Sequence, residues 1–357
     1  MISALELHNF RLFESLSLNF NARKVFLCGS NGQGKTTILE SLFYLSNLRS
    51  FRTSRAAEMI TIHEEYASLA ADVSFTGWKK RIQAGLGNNC RQLNIDGKHV
   101  TRASDFAGTY HTVTFLPNDP EIITGRSQVR RRMLDMFISM IDRDYFTALQ
   151  MYSTGVRSRN CLLRDPKSDE ALIRSYHPLI AEYGAKINES RKIHLRILSD
   201  YMHDVIVTLK PELSDLTMKM RTSRELCEKE AYCKRLDSSI EHDRGMGYTS
   251  FGPHLDDFDF VADEKSLKLY GSRGQCRTVS FALKAAEFDI TQNQRSSRDN
   301  TIVIVDDATG DLDKKTQDAF YSRISTAKQV FCTFTELPDH PMSADAQVIQ
   351  ITAGRAV

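Results

Sequence analysis

Four things are missing from this chain of 357 residues, and each absence bears on a class of function. No stretch approaches the roughly 18 consecutive apolar residues that a helix needs to cross a bilayer. The opening Met1-Ile2-Ser3-Ala4-Leu5-Glu6 lacks the basic region and apolar core of a secretory leader. A cytoplasmic protein with no membrane partner is therefore expected. The seven cysteines, at 28, 90, 161, 227, 233, 276 and 332, are scattered and form no C-x-x-C pair. That pattern predicts reduced thiols and argues against a zinc site. A strong net charge is missing too: the formal value is only +2. Any nucleic-acid binding must then come from a local basic face.

What is present is Gly29-Ser30-Asn31-Gly32-Gln33-Gly34-Lys35-Thr36, a G-x-x-x-x-G-K-[ST] loop. The apolar run Val25–Cys28 before it reads as a buried strand, and Thr37–Tyr44 after it repeats apolar residues at helical spacing. Strand, glycine loop and helix together make a phosphate site, because backbone N–H groups and the helix N-terminus face one anion. Lys35 is expected at the β- and γ-phosphates of ATP, Thr36 at Mg²⁺, and Thr37 beside them. Farther along, Thr301–Val305 is an apolar run ending in Asp306 and Asp307, a Walker B pattern. Asp306 is expected in the Mg²⁺ shell and Asp307 as the group that orients or deprotonates the attacking water. Ser272-Arg273-Gly274-Gln275 leads into a helical pattern and makes a second candidate anion site through Ser272, Gly274 and Gln275. Gly310-Asp311-Leu312-Asp313 reads as a turn into a helix. The strand Gln329–Thr333 follows, with Thr335 just beyond its tip as a further catalytic candidate.

The order of these pieces is that of an ATP-binding cassette. In that arrangement the S-x-G-Q helix caps the nucleotide of a second copy, so ATP holds two heads together. The expected fold is α/β, an ABC-type P-loop ATPase head with a mixed sheet and flanking helices, split by a helical arm. The head is placed at 1–118 and 246–357, the arm at 119–245. Short strands are expected at Ile2–Leu7, Leu16–Phe20, Ala67–Phe75, Lys80–Leu86, Arg91–Ile95 and Thr112–Leu116. In the arm, one continuous helix is expected from about Asp169 to Leu209, with a seam interrupted at Arg191 and His194. Leu216–Met220 is expected as a strand and Arg224–Ile240 as a helix.

Arginine is unevenly spread. Arg11, in Asn9-Phe10-Arg11, reads either as a surface group or as one lying over the nucleotide. Arg49–Arg55 holds Arg49, Arg52 and Arg55 and reads either as a solvated loop or as a phosphate contact. Arg130-Arg131-Arg132 opens a helix, where three cations meet the positive end of the dipole, so an anion partner is favoured. Arg52, Arg130, Arg131 and Arg132 are the candidate DNA contacts. Gly252-Pro253-His254-Leu255-Asp256-Asp257 is a polar knot, read as structural or as a hydrogen-bonding edge of the nucleotide site before it is read as a metal site.

With those residues in place, the whole chain resembles the RecF family of recombination-mediator ATPases, relatives of the SMC proteins. The resemblance rests on Asn9-Phe10-Arg11, the P-loop, Arg49–Thr53, Arg130–Asp135, Ala181-Glu182-Tyr183-Gly184, Gly252-Pro253-His254 with Asp256-Asp257, and Asp306-Asp307. It moves Arg11 towards the nucleotide. It implies ATP-dependent dimerisation, DNA binding, and loading of recombinase at single-strand gaps with RecO and RecR during repair and the SOS response. Departures are Gly310-Asp311 where the family usually has Ser-Glu, Ser158-Arg159-Asn160 where it has Gln-Arg-Asn, and a missing glycine near Leu48-Arg49. The alternative, the nucleotide-binding subunit of a membrane transporter, fits less well: roughly 270 residues separate Lys35 from Asp306, more than a single compact cassette needs. An SMC-like tether would need hundreds of heptad residues that this arm lacks.

Overall fold

Runs of β-branched and apolar residues form the strands that carry the glycine loop and the acidic pair. Thr301–Asp306 and Gln329–Phe334 are buried at every position, the mark of strands covered on both faces. The structure is a computed structural model, and it describes the chain apart from residues 54, 76, 88–90, 222–223, 295–299, 308–313, 338–340, 353 and 357. The chain divides into two compact units, residues 1–118 with 287–357, and residues 119–286. The sequence reading divides the chain after residue 118 and again after residue 245. The second differs: residues 246–286 pack with the arm segment, since the strand Asp257–Ala262 pairs with Thr217–Arg221.

The first unit contains two six-stranded sheets among its described residues. In one, His111–Phe115, Thr301–Asp306, Gln329–Phe334, Lys24–Cys28 and Gln347–Thr352 lie parallel in that order, with Arg355–Ala356 antiparallel at the edge. The register sets Asp306 beside Thr333 and Phe334 beside Cys28. The acid and the start of the glycine loop therefore share one carboxyl edge, where open α/β sheets bind ligands. The other sheet is antiparallel, in the order Phe13–Asn19, Ile2–Phe10, Tyr66–Phe75, Trp78–Gly87, Arg91–Ile95, Lys98–His99. Its last hairpin turns at Asp96-Gly97, both at positive φ, as a two-residue hairpin turn requires. Buried Gln329 ties the two sheets: its Oε1 accepts from the Ile2 N–H at 2.7 Å and its Nε2 donates to the Ile2 carbonyl at 3.0 Å.

The second unit is mostly helical: Ser127–Ile141, Arg143–Arg164, His177–Leu209, Lys229–Ser238 and Ile240–Met246, with a three-stranded sheet. Two expected helices are shorter than read. The segment from Asp169 is a short helix Glu170–Arg174, and the long one starts at His177, with Pro178 in its first turn. Proline is favoured there and unfavourable in a helix interior, so it marks a start. In the segment from 224 to 240, a 3₁₀ turn precedes Lys229–Ser238. The seam of the long helix also differs from its reading. Ile180, Gly184, Ile187, Arg191, Leu195, Leu198, Met202 and Val205 are buried at three- and four-residue steps, so Arg191 continues the stripe. Among the described residues, no helix is long and apolar enough to cross a membrane.

Candidate functional site

Gly29, Gly32 and Gly34 all sit at positive φ, at 145°, 80° and 108°. At Gly34 a side chain is excluded twice over, because an added Cβ would lie 2.6 Å from Phe13 Cζ. The helix Lys35–Asn47 that follows has Gly34 as its N-cap, with no side-chain capping bond and no acid in its first turn. Its N-terminal amides and dipole are thus not met by a local carboxylate or hydroxyl, which suits an incoming anion. The buried Lys35 ammonium donates to the Ser30 carbonyl at 2.9 Å and also to that of Gly29. Asn31 and Gly32 are exposed at the loop tip, Gln33 is half-buried, and Thr37 points into the core.

Asp306 lies against this helix. Its Oδ1 accepts from Thr36 Oγ1 at 2.9 Å and from Thr333 Oγ1 at 2.8 Å. Burial pushes the carboxyl above its ordinary range, opposed by the two threonine hydroxyls. Asp307 is exposed at a φ of 45°, and its backbone N–H donates to Thr333 Oγ1 at 3.0 Å. Adjacent acids are thereby separated, one into the sheet edge and one into solvent. The donor set fits Mg²⁺: one hydroxyl and one carboxylate in contact, both hard oxygens, leave the remaining positions to phosphate and water. Among the described residues there is no group of three or more His, Cys, Asp or Glu placed to hold a metal ion.

Sequence reasoning singled out Thr335, which is exposed beyond the strand end, and missed Thr333, the threonine that touches both acids. Its signal was a polar residue inside the buried run Gln329–Phe334, in register with Asp306. Glu40 was missed as well. Its fully buried carboxylate accepts from Arg11 Nε at 3.0 Å and Nη2 at 2.7 Å, from Arg52 Nη1 at 3.2 Å, and from Ser50 Oγ. Arg11 and Arg52 are therefore both anchored on the P-loop helix.

The remaining candidates lie in the second unit. Ser272 Oγ accepts from the Gln275 N–H at 3.2 Å, and Gln275 Oε1 accepts from the Ser272 N–H at 2.8 Å, a reciprocal capping box. Ser272 and Gly274 are exposed at that helix start. The turn Gly310–Asp313 lies outside the described residues. Arg130 is a correction. It is 1% exposed, pairs with Asp257 through Nε at 2.7 Å and Nη2 at 2.9 Å, and donates from Nη1 to the carbonyls of Ile122, Ile123 and Gly125. A guanidinium so enclosed is not presented to DNA; the anion that offsets the helix dipole is an aspartate of the same unit. Arg131 is half-buried and donates to the Asp256 carbonyl at 2.6 Å, while Arg132 is half-buried.

The Gly-Pro-His knot is structural. His254 Nδ1 meets Tyr152 Oη at 2.7 Å and Nε2 meets the Thr249 carbonyl at 3.0 Å, so both ring nitrogens are engaged. Burial lowers the His254 pKa and favours the neutral ring, in which Nε2 donates and Nδ1 accepts.

The model for the RecF/RecN/SMC N-terminal domain matches residues 1–354. Curated proteins described as DNA replication and repair protein RecF are 28% identical: one from Bacillus cereus, over 99% of this chain and 97% of its own, and one from Staphylococcus carnosus, over 100% and 99%. A solved structure of the recombination mediator protein RecF with ATP, in the RecFOR pathway, superposes with a TM-score of 0.88 at 26% identity, covering 100% of this chain and 96% of that one. An Smc head bound to the C-winged helix domain of ScpA shares the fold at a TM-score of 0.54 and 14% identity, covering 99% and 95%. With its glycine loop, its paired acids and a match running nearly end to end, the chain belongs to the RecF/RecN/SMC N-terminal domain family.

Proposed function

We propose that this protein is a RecF-like ATP switch of DNA replication and repair. It binds ATP with Mg²⁺ in the first unit, dimerises on ATP, and holds DNA while it is dimeric. One observation carries this reading: Thr36, Asp306 and Thr333 are hydrogen-bonded at the carboxyl edge of the parallel sheet, directly beside the glycine loop. Lys35 serves the β- and γ-phosphates, and Thr36 and Asp306 hold the cation, which neutralises phosphate charge when bound. Asp307, exposed at the edge, orients the attacking water and takes its proton. The bond between the γ-phosphorus and the bridging oxygen breaks, giving ADP and phosphate. Hydrolysis is slow, because aspartate is one methylene shorter than glutamate and positions water loosely, and DNA stimulates it.

Ser272, Gly274 and Gln275 cap the nucleotide of a second copy. By family likeness the partners are gapped or single-stranded DNA, RecO and RecR, in recombinase loading and the SOS response, in the cytoplasm. Arg131 and Arg132 remain the DNA candidates, while Arg52 is bonded to Glu40 on the P-loop helix. No observation favours the transporter subunit.

Sedimentation tests the switch: wild type with ATP, with ADP, and Lys35→Arg with ATP, each with and without gapped duplex. A dimer that forms only with wild type and ATP, and carries duplex in a salt-sensitive way, is expected. A monomer under every condition, or DNA binding indifferent to nucleotide and salt, overturns it.

A further inference from the structure

Glu40 is an unexpected residue where it stands. The helix Lys35–Asn47 buries nearly every position from Thr37 to Ser46, and Glu40 among them is 0% exposed. A buried ion pair seldom adds net stability over an apolar side chain of similar size, so stability alone does not account for it. One buried carboxylate faces two arginines. The two arginines are held differently. Arg11 is 18% exposed, grips both carboxylate oxygens, donates from Nη1 to the Glu58 carbonyl, and has its backbone N–H on the Met59 carbonyl. Arg52 is 43% exposed and makes one longer contact of 3.2 Å. Ser50 Oγ, itself bonded to Glu40, accepts from the N–H groups of Arg52 and Thr53, which fixes the backbone that carries Arg52.

Position matters as much as charge. Glu40 follows Thr36 by four residues, so both side chains leave the same face of the helix, about one 5.4 Å turn apart. Thr36 is the residue bonded to Asp306. The arginine cluster is thus built one turn below the hydroxyl assigned to the cation.

We propose that Glu40 is a positioning residue of the nucleotide site: its buried carboxylate clamps Arg11 as a fixed brace and holds the partly exposed Arg52 guanidinium one helical turn from Thr36, where it meets the phosphates of a bound nucleoside triphosphate. This rests on the ATP-binding reading above. It reverses a simple electrostatic expectation, since removing a negative charge next to an anion site should tighten anion binding.

The experiment titrates full-length protein with a fluorescent ATP analogue and Mg²⁺. It compares wild type, Glu40→Gln, Glu40→Asp, Arg52→Ala, the double variant Glu40→Gln/Arg52→Ala, and Lys35→Ala. Glu40→Gln is expected to weaken binding roughly tenfold, the loss of about one charge-assisted hydrogen bond. Arg52→Ala should match it, and the double variant should be no worse than either. Glu40→Asp should recover part of the loss. Tighter or unchanged binding by Glu40→Gln, or losses that simply add in the double variant, overturns the proposal. Should Glu40→Gln fail to fold, Arg52→Ala decides alone, and unchanged affinity there also overturns it. Wild type that ignores the analogue, or Lys35→Ala that binds like wild type, would instead remove the ATP-site reading.

Discussion

Paired arginines differ between the two units: Arg130, Arg159 and Arg191 of the second are buried, while Arg11 and Arg52 of the first are partly exposed. In the second unit each is matched by its own acid. Arg159 pairs with Asp243 at 2.7 Å with both side chains fully buried, Arg130 with Asp257, and Arg191 with Asp135 at 2.7 Å. Arg159 also donates to Thr249 Oγ1 at 2.8 Å and to His177 Nε2 at 3.1 Å. In the first unit, two arginines share one glutamate beside the glycine loop. A closed set of charges fixes architecture, because removing one partner strands the other. An arginine held by a shared acid and left partly exposed keeps donors free to face solvent or a ligand. The contrast also explains how the same residue type misled the sequence reading: a run of arginines at a helix start looks the same whether its anion is internal or external.

The largest expected effect sharpens the ligand side of that contrast. Lys35→Ala should lose ATP affinity by about a hundredfold or more, the equivalent of two charge-assisted contacts, with its urea midpoint close to wild type. Isothermal titration and denaturation together check it. Unaltered affinity would place the triphosphate elsewhere.

The counterpart in the second unit is Arg159→Met, expected to destabilise by about 3–5 kcal/mol, because Asp243 is left buried without its partner. Burial alone would push Asp243 up, but hydrogen bonds from Ser250, Arg159 and Ser239 hold it below its ordinary range. Its contribution is therefore fully present above the unfolded carboxylate pKa and lost as pH falls on through the lowered folded one. Urea unfolding at neutral and acid pH measures both effects, and a variant that keeps wild-type stability would break the comparison.

Gly34→Ala should cost about 1–3 kcal/mol through backbone strain and the close approach of Phe13. It should also abolish the rise in melting temperature that ATP produces. Stabilisation by ATP equal to wild type would show that the loop geometry is not needed.

The smallest effect concerns His254. Burial lowers its pKa below the ordinary histidine value, so below about pH 6.5 the unfolded chain binds more protons than the folded one. Stability should decline as pH falls from 7.5 to 5.5, and His254→Gln should flatten that slope without reversing it. His177, lowered chiefly by burial and opposed by Asp237, should leave a residual slope of the same sign. An unchanged slope in His254→Gln would remove the neutral linker from the knot.

The elements of the first unit were legible because local chemistry dictates them. A continuous apolar run with a terminal acid can only be a covered strand with its acid at the edge, and glycines at required positive φ announce the loop. Thr333 and Glu40 were not legible, since their partners are 10 to 29 residues away in the chain and only strand register or helix burial brings them close. In the second unit, Pro178 did mark a helix start but was read through, and Arg191 looked like a break in a stripe that it continues. Hydrophobic pattern cannot reveal that a charge is buried with an exact partner from another segment.

By itself the sequence determined the chemistry on offer: a triphosphate loop, two acids for cation and water, and a helix opened by a serine–glutamine box. Those are consequences of local spacing, which strand and helix periods translate directly into position. Only the tertiary structure decided which arginines are committed inside the molecule and which stay partly exposed, because that allocation depends on long-range pairing and on the low dielectric that burial creates.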